Sequence, residues 1–212
     1  MAITFNTTHM LFPTPVVEFL VEDPERLNAL LREEIALRVK SEAGEKRSNI
    51  DGWHSASDLF AREEPGHQEI AGAIKLAVRD ATRQIGGGTK DGGVRFQLAG
   101  WINVNPPGGF NMPHDHPGAF WSGVYYVSVP EPPANNPERG AISFIDHRPA
   151  PAGQPLVQAP MFQGNATFRP REGAILLFPG TARHWVLPQS DAAADRISIA
   201  FNAIAAETVQ AG

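Results

Sequence analysis

Over the first part of the chain, apolar positions recur at helical spacing twice. Leu27, Leu30, Leu31, Ile35 and Leu37 follow Asp23-Pro24, a capping residue with proline at the first helical position. They predict a helix to about residue 40. Ile70, Ile74, Leu76, Val78 and Ile85 predict a second helix that stops at Gly86-Gly87-Gly88. Ahead of both, residues 11–21 mix proline with β-branched and aromatic side chains and read as a short extended edge segment. Trp53 and His54 fall in a polar stretch between the helices and read as loop.

Beyond the glycines the period changes to that of strands. Residues 95–104, 122–129, 141–145, 165–169, 174–178 and 196–203 form short β segments separated by Pro, Gly and Asn clusters, with 185–187 a further short one. Helices first and strands later predict an α+β fold whose antiparallel strands make a sandwich, barrel or jelly roll. The Pro-rich stretch 131–139 and the loop 149–158 are candidate lids.

Composition narrows the chemistry. With 212 residues, one domain spanning 1–212 is expected. A net charge of -5 leaves no basic stripe for nucleic acid. No stretch is apolar for the roughly 18 residues that a membrane span needs, and a cytoplasmic protein without membrane partners is expected. There is no cysteine, which removes disulfides, thiolate catalysis and sulfur ligands, so any metal must be held by imidazole or oxygen.

Pro113-His114-Asp115-His116-Pro117 lies between two predicted strands. In an extended backbone, residues i and i+2 face one side, so His114 and His116 can address one ion while Asp115 points away. If the backbone kinks there, Asp115 becomes the ligand instead. His184, following an apolar strand and a Pro-Gly turn, offers a third imidazole. Further on, Arg196 and Ser198 share a face of the last strand, and a guanidinium fork beside a hydroxyl suits a carboxylate. His9, His67 and His147 read as surface or capping residues.

With Arg196-x-Ser198 added to the histidines, the sequence resembles the 2-oxoglutarate- and Fe(II)-dependent oxygenases. That family carries His-x-Asp or His-x-Glu, a distal His and an Arg-x-Ser beyond it. Trp101-Ile102-Asn103-Val104-Asn105, His114-x-His116-Pro117-Gly118, Ser122-Gly123-Val124-Tyr125-Tyr126 and the run from Arg196 to Asn202 resemble a bacterial and phage branch of it. The resemblance implies a double-stranded β-helix (jelly roll, cupin-like barrel) over 94–204. Supporting helices within 1–93 would pack on one sheet, and 205–212 would form a tail. It implies Fe(II) held by His114, His116 and His184, or by Asp115 in place of His116. It also implies 2-oxoglutarate held by Arg196 and Ser198, with Tyr125, Tyr126, Trp101 and Asn103 lining the site and Phe120 and Trp121 closing its mouth. Molecular oxygen and a small-molecule or peptide substrate would be the remaining partners. Hydroxylation of the substrate would accompany release of succinate and carbon dioxide.

The departure is His116, where the family has a carboxylate. Three neutral imidazoles leave Fe(II) one positive charge higher, which dianionic 2-oxoglutarate can offset. Three-histidine sites also suit a cupin-like dioxygenase or a zinc hydrolase that uses no oxo-acid. A non-catalytic ligand-binding β-sandwich is a third reading.

Overall fold

The computed structural model describes residues 3–85, 94–148, 163–188 and 194–208. Helix α1 (Pro24–Ser41) begins at Asp23, whose carboxylate accepts the Arg26 backbone N–H at 3.4 Å. Helix α2 (Pro65–Ile85) is capped by its neighbour, because Glu34 on α1 accepts the N–H groups of Gly66 and His67 at 2.8 and 3.0 Å. The glycines expected to end α2 lie outside the described residues, as does the candidate lid at 149–158. Leu27, Leu31 and Ile35, with Ile70, Ile74 and Val78, form the buried stripes, whereas Leu37 and Leu76 are exposed. Each of the exposed pair sits two residues beyond a stripe position, about 200° around the helix.

The strands are β1 (Val17–Leu20), β2 (Asn49–Ile50), β3 (Trp53–His54), β4 (Val94–Asn105), β5 (Phe110–His114), β6 (Trp121–Ser128), β7 (Ile142–Ile145), β8 (Asn165–Phe168), β9 (Ala174–Pro179), β10 (His184–Val186) and β11 (Arg196–Thr208). A six-stranded sheet runs β1-β9-β6-β11-β4-β3 and a five-stranded sheet runs β2-β5-β10-β7-β8. The fold is α+β, with the paired sheets of a double-stranded β-helix. Among the described residues the sheets do not close into a barrel. As expected, β1 is an edge strand.

Alternation on the central strands decides what each face meets. Ile102, Tyr125, Val127, Ile175, Leu177, Ile199 and Phe201 turn to the helices and share one core with Leu27, Leu31, Ile70 and Ile74. Val124, Tyr126, Leu176 and Phe178 turn the other way and pack on Ile142 and Phe144 of the five-stranded sheet. Gly123 is required by the first packing, since a Cβ there would lie 2.3 Å from the Phe201 ring and 2.7 Å from the Leu176 carbonyl oxygen. Among the described residues no helix is long and apolar enough to cross a membrane.

Candidate metal centre

His114 ends β5 and His184 begins β10, and the two are register partners on the five-stranded sheet. His116 lies just past β5, where its backbone N–H donates to Gly180 O at 2.8 Å and fixes the loop against the end of β9. One ligand atom from each of the three imidazoles lies within 4.8 Å of the others. Asp115 is exposed and lies outside this cluster.

Two tautomers are settled by local hydrogen bonds. Nδ1 of His114 faces Met112 O at 2.6 Å and Nδ1 of His184 faces Ala182 O at 2.8 Å. A carbonyl can only accept, so each Nδ1 carries the proton and each Nε2 keeps its lone pair, the state a metal needs. Burial pushes His184 down to about 3, with the other two imidazoles adding to the shift. Burial and then the neighbouring His114 push His116 down to about 4. These two rings are therefore neutral near pH 7 and available as ligands.

The imidazoles open into a cavity of about 520 Å³ between the sheets. Along β11 its wall reads Arg196, Ser198, Ala200, with Asn202 next on the same face and touching His116. A guanidinium thus stands at one end of the strand face and the histidine contact at the other, with Ser198 and the Ala200 methyl between. Arg196 is 2% exposed. It donates through Nε to Gly140 O and through Nη1 to Ser198 Oγ, both at 3.0 Å, and it lies 5.3 Å from the Tyr126 ring. Among the described residues no carboxylate pairs with it, and burial lowers its pKa. The Tyr126 hydroxyl feels the Arg196 charge but makes no well-formed hydrogen bond, and burial pushes it up to about 12. A buried cation with no carboxylate beside it among the described residues has the chemistry to accept an anion.

Not every expected residue reaches the cavity. Asn103 lines it, and its Oδ1 is buried without a partner. Tyr125 does not: the same alternation that brings Tyr126 inward sends Tyr125 to the helices, where its hydroxyl donates to Asn28 Oδ1 at 2.6 Å. Trp121 also faces the helices, donating to Thr82 Oγ1 at 2.9 Å, so it does not close the mouth; Phe120 is 54% exposed beside it. Trp101 lies in the wall, 5.8 Å from the His116 ring. The stretch 131–139 runs behind Arg196, where Glu131, Pro132 and Arg139 line a small second cavity with it, rather than over the histidines.

Residues 99–202 match a family model described as "Putative 2OG-Fe(II) oxygenase". That span is the β-rich part of the chain, and it carries the likeness to the family. No curated protein sequence matches the chain. A prolyl-4-hydroxylase from Pseudomonas putida is 17% identical and superimposes with a TM-score of 0.64, covering 91% of this chain and 93% of that one. A prolyl hydroxylase from Trichoplax adhaerens, solved with a hypoxia inducible factor peptide, gives 0.61 at 12% identity over 89% and 83%. HygX from Streptomyces hygroscopicus, solved with nickel, 2-oxoglutarate and hygromycin B, gives 0.60 at 14% over 90% and 82%. At these identities the likeness is one of fold.

The fold also gives places to residues that the sequence pattern passes over. His54, read as loop, is a two-residue edge strand paired with β4, and its ring stacks on Trp101 at 5.6 Å and lines the cavity. Asn111 lines it from β5, a strand hidden by its proline. Asn202 carried no role beyond its place in a motif. His67 is fully buried rather than superficial, with Nδ1 on Glu34 at 2.6 Å, and serves the helix junction.

Proposed function

We propose that this chain is an oxygenase that binds Fe(II) through His114, His116 and His184, and binds 2-oxoglutarate with its distal carboxylate on Arg196 and Ser198. The observation that carries the proposal is Arg196: a buried guanidinium that no carboxylate pairs among the described residues, in the same cavity as three converging imidazoles. A guanidinium so placed suits the carboxylate of an oxo-acid. Fe(II) with 2-oxoglutarate and oxygen supplies the oxidation, in which substrate C–H, O2 and 2-oxoglutarate become substrate C–OH, succinate and carbon dioxide.

The chain's own groups bind, orient and exclude water. The Met112 and Ala182 carbonyls hold two imidazoles in the ligating tautomer. Gly140 O and the Tyr126 ring fix the guanidinium fork, so that it and Ser198 face the incoming carboxylate from the cavity wall. Ala200 and Val124 leave room for the carbon chain between the two ends. The substrate enters past Arg47, Ser48, His54, Ser57 and Trp101, and the cavity suits a small molecule or a side chain of a peptide. The test is succinate formation from 2-oxoglutarate by the purified chain. It should require both Fe(II) and oxygen, and tightly bound zinc with hydrolytic activity and no succinate would overturn the proposal.

A further inference from the structure

The replacement of a carboxylate by His116 creates a problem that the other two imidazoles do not have. A carboxylate ligand has no proton to place. An imidazole must carry its proton on the nitrogen away from the metal. For His114 and His184 the neighbour is a backbone carbonyl, which only accepts and therefore forces the ligating tautomer. For His116 the neighbour is the side-chain amide of Asn202, which can do either.

The amide stands at the His116 Nδ1 side, 3.4 Å away, so Nε2 is the nitrogen left for a metal. Behind it, Ser122 Oγ lies 2.7 Å from Asn202 Oδ1, and Ser122 and Asn202 are register partners on β6 and β11. With Oδ1 held by the serine hydroxyl, the amide N–H faces Nδ1, the proton is driven to Nε2, and the ring cannot ligate. With the amide turned by 180°, Oδ1 accepts Nδ1–H, Nδ2 donates to Ser122 Oγ, and Nε2 is free. The hydroxyl tolerates both arrangements because it can donate or accept. Ser122 is 1% exposed, which leaves little solvent to compete for its bond.

We infer that Asn202, backed by Ser122, is a positioning residue that sets the tautomer of His116 and thereby lets an imidazole serve as the third ligand. The inference rests on the three-histidine reading of the metal centre. Metal binding and the turn of the Asn202 amide are coupled, so a side chain that can only accept at position 202 mimics the metal-ready state. One that offers nothing leaves the tautomer to the solution preference of imidazole.

The test is Co(II) titration of the metal-free full-length chain, followed by visible absorption, for wild type, Asn202→Asp, Asn202→Ala and Ser122→Ala. Wild type should bind one Co(II) with the spectrum of a nitrogen-rich site. Asn202→Ala should bind about 10- to 100-fold more weakly, the usual cost of losing a ligand's hydrogen-bond partner. Asn202→Asp should bind at least as tightly as wild type, which a merely structural asparagine does not predict. Ring 15N shifts of metal-free His116 should move toward the Nδ1–H form in Asn202→Asp. Unchanged Co(II) affinity in Asn202→Ala, or equal loss in the Asp and Ala variants with native melting behaviour, would overturn the inference while leaving the metal site standing. Failure of the wild type to bind Co(II) would overturn both. His116→Asp supplies a further control, because with no imidazole proton to place, the effect of Asn202→Ala should largely vanish.

Discussion

Arg196 is the residue on which the function turns, and its removal separates two kinds of binding. Arg196→Ala should weaken 2-oxoglutarate binding by at least about 100-fold, since paired charge-assisted hydrogen bonds are lost together. Mn(II) affinity in the same variant should stay within a few-fold of wild type; calorimetric titration of each ligand checks both. The histidines carry a second prediction. His184 and His116 are pushed to about 3 and about 4, below the ordinary imidazole value. The unfolded chain therefore binds more protons than the folded one between those values and about pH 6.5. Metal-free protein should be fully stable above that pH and lose stability as the pH falls toward 4. His184 alone contributes about 2–3 kcal/mol of this by pH 4.5. Melting temperature against pH should fall less steeply in His184→Gln, and an unchanged slope would count against the burial argument. These residues were legible in the sequence because their types are rare in apolar surroundings and their spacing matches strand geometry. Tyr125 was not, because adjacent tyrosines on one strand look alike until the flanking layers decide which face is the cavity.

At the scale of elements, the long strands and both helices follow from periodicity, and β2 and β3 do not. A two-residue strand has no period to read, and its existence depends on the β4 and β5 edges it joins. His54 was consequently assigned to loop, although pairing with Asn103 places it in the cavity wall. Close packing between elements was equally hidden. Gly123 sits where β6 passes Phe201 of β11, with no room for a methyl group. Gly123→Ala should destabilise the protein by roughly 1–3 kcal/mol through overpacking, seen as a lower urea midpoint with unchanged slope. At the start of α1, Asp23→Ala should cost about 1 kcal/mol, through the lost cap on the Arg26 N–H.

For the whole molecule, two sheets meet so that one brings histidines and the other brings a buried guanidinium to the same cavity. The helices stabilise the six-stranded sheet from outside and leave its inner face for chemistry. Fe(II) and 2-oxoglutarate, each contacting only the folded state, should raise the melting temperature together more than either does alone. The decisive measurement is anaerobic titration of the Fe(II)-loaded chain with 2-oxoglutarate, followed by visible absorption. Saturable binding with an Fe(II)-dependent charge-transfer band is expected, lost in His184→Ala and displaced to far higher concentration in Arg196→Ala. A fully Fe(II)-loaded protein that takes up no 2-oxoglutarate, or takes it up equally well without Arg196, would contradict it.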